Sequence, residues 1–175
     1  MSALERPAEV LLLALFDAPG GAEAAARAIL HSGVDADHVA LLARGSRGTA
    51  FAAVPRVVLL HVPGLGRLVA RGALAVELDS EPARAGGPER LALALRRMGI
   101  SAADVPLLER AIRAGRILLV VAVPLTDAYR WGLLLQKAGA LSLSARPRLG
   151  PWPARSPDPG HRSHEPHAGR RGRAA

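Results

Sequence analysis

The sequence contains no cysteine, only 3% aromatic residues and a single lysine, Lys137. The absence of cysteine excludes disulfides, iron–sulfur clusters, thiolate zinc sites and thiol nucleophiles. With so few aromatic rings, the chain has little with which to stack nucleobases or sugars. Half of the 175 residues are nevertheless hydrophobic, so we expect a chain that buries a core and forms one domain, or one domain with a tail.

Long hydrophobic runs are also absent. The most apolar stretch, residues 57–66, is flanked by arginines and interrupted by His61 and Pro63, far short of the roughly 18 apolar residues of a membrane-spanning helix. The apolar run at residues 10–16 follows two glutamates and is too short for a signal peptide. We therefore expect a cytoplasmic protein, with a membrane-peripheral location as the alternative.

The positive charge is concentrated at one end. Residues 146–175 hold seven arginines against Asp158 and Glu165, a net charge of +5 out of +8 for the chain. Selection for phosphate contacts and a GC-rich coding sequence would both produce this arginine bias. We predict that residues 147–175 form a disordered basic tail rich in Pro, Gly and His. Its candidate polyanion contacts are Arg162, Arg170, Arg171 and Arg173.

Two segments each have the pattern of a strand–helix–strand unit. In the first unit, residues 10–44, a continuous apolar run is followed by a helical pattern and a weaker strand. The second unit, residues 116–146, repeats this order and ends in the alternating sequence LSLS. We predict an α+β protein with two split βαβ units in a four-stranded, ferredoxin-like sheet, the first strand of each unit being central and the second an edge.

The middle segment, residues 45–115, is apolar and is predicted to be helical. The two central strands are apolar on both faces, whereas the helices of the two units cover only one face. The middle segment is therefore expected to cover the other face, within a single domain of residues 1–146. The predicted helices are residues 66–78, 89–98 and 101–115, the last beginning at a capping-box-like pair, Ser101 and Asp104.

Three stretches resemble a known family. Residues 97–120 are similar to a "G-I-P-x-x-E-A … Y-E-x-x-[IV]-[KR]-x-G-x-I-L" pattern, residues 62–74 to "P-G-[LI]-G-x-L-[LV]-A-x-G-x-L", and residues 15–44 to "V-F-D … A-E-x-A … S-V-V-x-R". All three patterns belong to the bacterial general-stress and low-temperature-induced protein family, and they occur in the family's order. The family-like turn motif consists of Pro63, Gly64, Gly66, Gly72, Gly99 and Gly115.

Departures from the family pattern are those of a diverged copy. The insert before Pro63 is shorter and poorer in glycine than in the family, and Leu108 and Ser101 replace the usual Tyr and Pro. The resemblance implies a stress-associated or partner-binding role. It carries no catalytic residue to this chain.

No motif in the chain is specific for a catalytic, cofactor or metal site. Gly64 and Gly66 lack the spacing of a dinucleotide-binding loop, and a tight turn is the better interpretation. The H-x-x-H-x-x-H pattern that begins at His161 lies in the expected disordered tail, where ordering a metal site is costly. We predict no catalytic residue, no cofactor and no metal.

Our functional hypothesis is a non-enzymatic, stress-associated protein that acts on a protein partner or by self-association, through the sheet or the apolar middle. The alternative is a protein that associates peripherally with anionic membranes or nucleic acid. Its anchors would be the arginine-rich tail and residues 64–76. No small-molecule substrate is evident from the sequence.

Overall fold

The computed structural model describes residues 8–45, 51–80 and 86–148. Within these ranges the chain forms six strands, five α-helices and two short 3-10 turns, which confirms the predicted α+β class. The strands are β1 Glu9–Phe16, β2 Val39–Arg44, β3 Val57–Val62, β4 Gly66–Gly72, β5 Ile117–Pro124 and β6 Ser142–Pro147. The helices are α1 Pro19–His31, α2 Ala73–Ser80, α3 Gly87–Arg97, α4 Val105–Arg113 and α5 Ala128–Lys137.

The strands form one open sheet in the order β3–β4–β2–β5–β1–β6, and every neighbouring pair is antiparallel. At its centre β1 and β5 pair along their whole lengths, with Leu12 opposite Val121. Since β1 and β2 both run antiparallel to β5, they are parallel to each other and α1 is a crossover helix. Both predicted strand–helix–strand units, β1–α1–β2 and β5–α5–β6, are therefore present.

The predicted four-stranded sheet is wrong, because the middle segment adds two strands. β4 lies against β2, so β2 is an inner strand and not the edge that we predicted, while β1, β5 and β6 have their predicted places. The helix predicted for residues 66–78 is also wrong, since β4 occupies residues 66–72 and α2 begins only at Ala73.

A tight turn explains why this segment is a hairpin. The N–H of Leu65 donates to the carbonyl of Val62 at 3.0 Å, across Pro63 and Gly64. Gly64 has a φ of 81°, and proline followed by a glycine with positive φ is typical of a type II turn. The turn reverses the chain after β3, and pairing on both sides then stabilises residues 66–72 as a strand against their helical preference.

Both faces of the sheet are covered by helices. Side chains alternate along β1, so Leu11 and Leu13 lie on one face while Leu12 and Phe16 lie on the other. The first face packs against α2, α3 and α4, and the second against α1 and α5. The middle segment therefore covers the face that α1 and α5 leave open, as predicted.

The helices predicted at residues 89–98 and 101–115 are present as α3 and α4, although α4 begins only at Val105. A family-like glycine, Gly99 or Gly115, follows the C-cap residue of each helix. At the end of α3 the N–H of Ile100 donates to the carbonyl of Leu95 at 3.1 Å, and the end of α4 repeats this pattern. Such bonds are typical of the Schellman motif, which satisfies the last carbonyls of a helix.

The predicted tail begins with two residues that belong to the folded part. Pro147 is the last residue of β6, and Arg148 forms an ion pair with Glu9. Residues 149–175, including the candidate polyanion contacts, lie outside the described residues. In the described ranges, no helix combines the length and the hydropathy needed to cross a bilayer.

Gly72 is predicted to tolerate no side chain. Its φ is 65°, and a Cβ at this position would overlap the backbone carbonyl oxygen of Val39 on the neighbouring strand. We expect Gly72→Ala to lower the free energy of unfolding by about 3 kcal/mol or more, through left-handed strain and overpacking together. Urea denaturation measures this loss.

Gly33 supplies the matched control, since its φ is also positive, 92°, but a Cβ there would have no neighbour within 4 Å. Gly33→Ala should cost only the backbone strain, about 1–2 kcal/mol. Equal losses for the two variants would show that the close approach to Val39 is unimportant.

Candidate functional site

The strongest candidate for a functional surface is the edge strand β3, with the sequence VVLLHV. It contains no proline, glycine, acidic residue, lysine or arginine, and among the described strands it pairs only with β4. Leu60 and Val62 point into the core and are buried. On the opposite face Leu59 is 74% exposed and Val57 is 52% exposed.

A groove of about 520 Å³ follows this exposed face of the hairpin. It is lined by Gly45, Leu59, Leu60, His61, Arg67, Leu68 and Val69. Leu59 lies opposite Val69 in the ladder, whereas His61 lies opposite Arg67 next to the turn. The groove is therefore apolar along its middle and cationic at the turn end.

The other edge of the sheet, β6, is protected against strand addition. It ends in Arg146 and Pro147, and proline cannot donate a backbone hydrogen bond to an incoming strand. Arg146 is held by Asp104 at 3.2 Å, and Arg148 is paired with Glu9. Charged residues and proline are the usual means by which proteins block a sheet edge, and β3 has neither.

A polar cluster connects the start of α4 to β6. Ser101 Oγ donates to Asp104 Oδ2 at 2.8 Å, and the Asp104 N–H donates to Ser101 Oγ at 3.2 Å. The predicted contact between Ser101 and Asp104 is present, but it lies in the turn before α4, whose N-cap is Asp104 and not Ser101. Arg146 adds a third partner, with its Nε 3.2 Å and its Nη2 3.4 Å from the carboxylate oxygens.

The contacts of Asp104 determine its chemistry. The hydrogen bond from Arg146 first, then that from Ser101, hold the pKa of Asp104 below its ordinary value of 3.8, while partial burial opposes them. A carboxylate that is stabilised in its charged form is a weak general base. We interpret this cluster as a structural link between α4 and β6.

Replacing Arg146 by glutamine should raise the pKa of Asp104, because the largest stabilising contact of the carboxylate is removed. NMR titration of the side-chain carboxyl carbon measures the change. The weaker contact supplies the comparison, since Ser101→Ala should raise the pKa by less. A larger rise in the serine variant would contradict this order.

The same pair predicts a dependence of stability on pH. The pKa of Asp104 is lower in the folded than in the unfolded state. Its contribution to the free energy of unfolding is therefore complete above the unfolded pKa and is lost as the pH falls through the folded pKa. At neutral pH we expect Arg146→Gln to lose about 1 kcal/mol or less, because the half-exposed Arg146 leaves its pair with the mostly buried Asp104 open to solvent screening. The loss should shrink in acid, which urea denaturation at several pH values would reveal.

The family-like residues have local roles in the backbone. Pro63, Gly64 and Gly66 form and flank the β3–β4 turn, Gly72 ends β4, and the remaining two glycines follow α3 and α4. A Cβ at Gly64 would lie 3.9 Å from Nη2 of Arg113, and one at Gly66 would lie 3.7 Å from Nη2 of Arg44. Arg44 itself donates to the carbonyl of Arg113 at 2.8 Å, at the end of α4.

The segment proposed as a membrane anchor, residues 64–76, is mostly part of the core. Its buried side chains are Leu65, Leu68, Val69, Ala70, Ala73, Leu74 and Ala75. Apolar side chains that are already buried cannot also enter a bilayer, so this burial counts against the anchor. In the described residues, no three His, Asp or Glu side chains come together as a metal site.

A second apolar surface lies on α5. Leu125 precedes the helix and is 58% exposed, Tyr129 is 79% exposed, and Leu133 is 38% exposed. A groove of about 280 Å³ separates this helix from β6. The backbone groups of a helix are bonded within it, so this surface offers a partner only side chains, whereas β3 also has a backbone edge that no second described strand covers.

The exposed edge was missed in the sequence because the apolar run through Val57 and Leu59 was not interpreted as a strand. The Pro63–Gly64 pair, between two apolar segments, was the available signal for a hairpin. No sequence signal indicated the Asp104–Arg146 pair, whose members are 42 residues apart.

Comparisons with known proteins add no relative. The chain matches no protein-family model, and no curated protein or solved structure matches it significantly. The resemblance to the general-stress family therefore remains a prediction from the residues.

Proposed function

We propose that this chain is a non-enzymatic protein that acts by protein–protein contact, with β3 as its binding strand. One observation carries the proposal: an apolar edge strand whose Leu59 is 74% exposed beside a groove of about 520 Å³. Unpaired N–H and C=O groups along such an edge form a template for another strand. Addition of a strand is a recurrent mode of peptide recognition.

The contrast between the two edges supports this assignment. At β6 a proline and ion-paired arginines oppose strand addition, and nothing comparable lies within β3. A six-residue segment of high β-propensity without charge or proline is an aggregation hazard when it is exposed. A partner that covers β3 removes this hazard.

The remaining parts of the proposal rest on the sequence, on the strand order and on the polar cluster before α4. A stress-associated role in the cytoplasm rests on the family resemblance and on sequence composition. The order β2–β5–β1–β6 within the sheet supports a ferredoxin-like core that the β3–β4 hairpin extends. The non-enzymatic assignment is supported by the Ser101–Asp104–Arg146 cluster, whose polar groups bond to one another.

A synthetic peptide with the β3 sequence VVLLHV, carrying lysines at its ends for solubility, tests whether the edge accepts a strand. We expect the full chain, diluted until it sediments as a monomer, to bind the labelled peptide, as measured by fluorescence anisotropy, and backbone amides of β3 to gain protection from hydrogen exchange. Leu59→Lys should weaken binding about tenfold or more, because it places a charge on the exposed face of the strand.

Leu107→Lys provides the control, since Leu107 is similarly exposed, at 56%, but lies on α4. Its affinity should equal that of the unmodified chain. A chain that fails to bind the peptide while its β3 amides exchange freely would refute the proposal.

A second candidate function is electrostatic binding to a polyanion, and it is favoured by the arginine-rich tail. Arg67 and Arg113 could contribute, as neither forms an ion pair with a described carboxylate. A full-length variant tests this with four changes, Arg162→Gln, Arg170→Gln, Arg171→Gln and Arg173→Gln. If the candidate is correct, this variant loses salt-sensitive binding to DNA or anionic liposomes. Unchanged binding, or none by either protein, would exclude a role for these arginines.

A further inference from the structure

We propose that β3 pairs with β3 of a second copy of this chain, antiparallel and centred on Leu59, so that the two sheets join into one. The inference rests on the proposed function of β3 and names its partner. Directly opposed residues in an antiparallel pair lie on the same face of the sheet. The two copies would be related by a two-fold axis perpendicular to the sheet. Because side chains alternate between the two faces along a strand, this axis must pass between one residue and the same residue of the second copy.

The length of the strand limits where this axis can lie. Arg56 has a φ of 58°, which is not a strand conformation, so the ladder begins at Val57 and ends at Val62. An axis at Val58 therefore pairs only three residues of each copy. An axis at Leu59 or at Leu60 pairs five, and these two registers are the candidates.

The side chains on the exposed face favour Leu59. In this register Leu59 lies opposite Leu59 of the second copy, and Val57 lies opposite His61. With the axis at Leu60, each exposed Leu59 would lie opposite an imidazole instead. Apolar cross-strand pairs stabilise a sheet, so the first register buries the most exposed leucine of the strand against its own copy.

The core face fits the same register. Val58 lies opposite Leu60 of the second copy, and both side chains belong to the core beneath α2 and α3. Val58 is only partly buried in the single chain. The junction would therefore join two apolar cores along one continuous face.

Charge distribution is also compatible with a second copy. His61 and Arg67 lie at the turn end of the hairpin, and antiparallel pairing sends the two turn ends in opposite directions. The two His61 residues are then about 13 Å apart along the strands. The chain's own tail is a poorer occupant, because its arginines would meet this cationic end of the groove.

Absence of cysteine from the chain allows a direct test of the register by single-cysteine variants. In the proposed register, Leu59→Cys places two thiols on opposed residues about 5 Å apart between Cα atoms, within the range of a disulfide. We expect full-length Leu59→Cys to form a disulfide-linked dimer under mild oxidation about tenfold faster than Leu107→Cys, which is exposed on α4.

Mixed oxidation then separates the two registers. Val57→Cys and His61→Cys should link poorly alone but efficiently with each other, since these residues are opposed only when the axis is at Leu59. Efficient linking of Leu59→Cys with His61→Cys, and not with itself, would place the axis at Leu60 and overturn the proposal.

Sedimentation of the unmodified chain supplies an independent measurement. We expect a dimer that Leu59→Lys converts to monomer and that Leu107→Lys leaves intact. A monomer at all concentrations, with no selective linking at residue 59, would overturn the second copy as partner. If the β3 peptide still bound to that monomer, the binding strand would stand and only its occupant would be wrong.

Discussion

The pairing of β1 with β5 is the constraint on which the rest of this structure depends. Both strands carry apolar side chains on both faces, and they are opposed over their whole lengths. Fully burying a leucine or valine side chain stabilises the fold by about 1.5–3 kcal/mol relative to leaving it exposed. Exposure of either face of this strand pair to water would therefore be costly. Two helical layers are therefore required.

Each layer comes from a different part of the chain. The crossover helices α1 and α5 lie on the face that the two strand–helix–strand units can reach themselves. The opposite face depends on α2, α3 and α4, all from the segment between the units. That segment first extends the sheet by a hairpin, and Gly72 marks the point where β4, packed closely against Val39, gives way to α2. The hairpin that brings these helices into place also leaves β3 as an apolar edge.

The two edges of the sheet differ because of their neighbours. Asp104, which precedes α4, and Glu9 of β1 lie near the end of β6, so Arg146 and the adjacent Arg148 find carboxylates within the fold. β3 lies beyond the hairpin turn and keeps only β4 as a neighbour among the described strands. The exposed apolar edge is thus a property of the side of the sheet that the inserted segment built.

The sequence by itself determined what depends on local periodicity. The continuous apolar runs of β1 and β5, the amphipathic patterns of α3 and α4, and the glycines that end these helices were all sufficient to predict those elements. Only the tertiary structure decided the state of residues 66–72, since Leu68 and Ala70 suit a helix as well as a strand until β2 and β3 lie on either side. It also decided the Asp104–Arg146 pair and the exposure of Leu59, because distance in the chain carries no information about which residues the fold brings together and which it leaves at an edge.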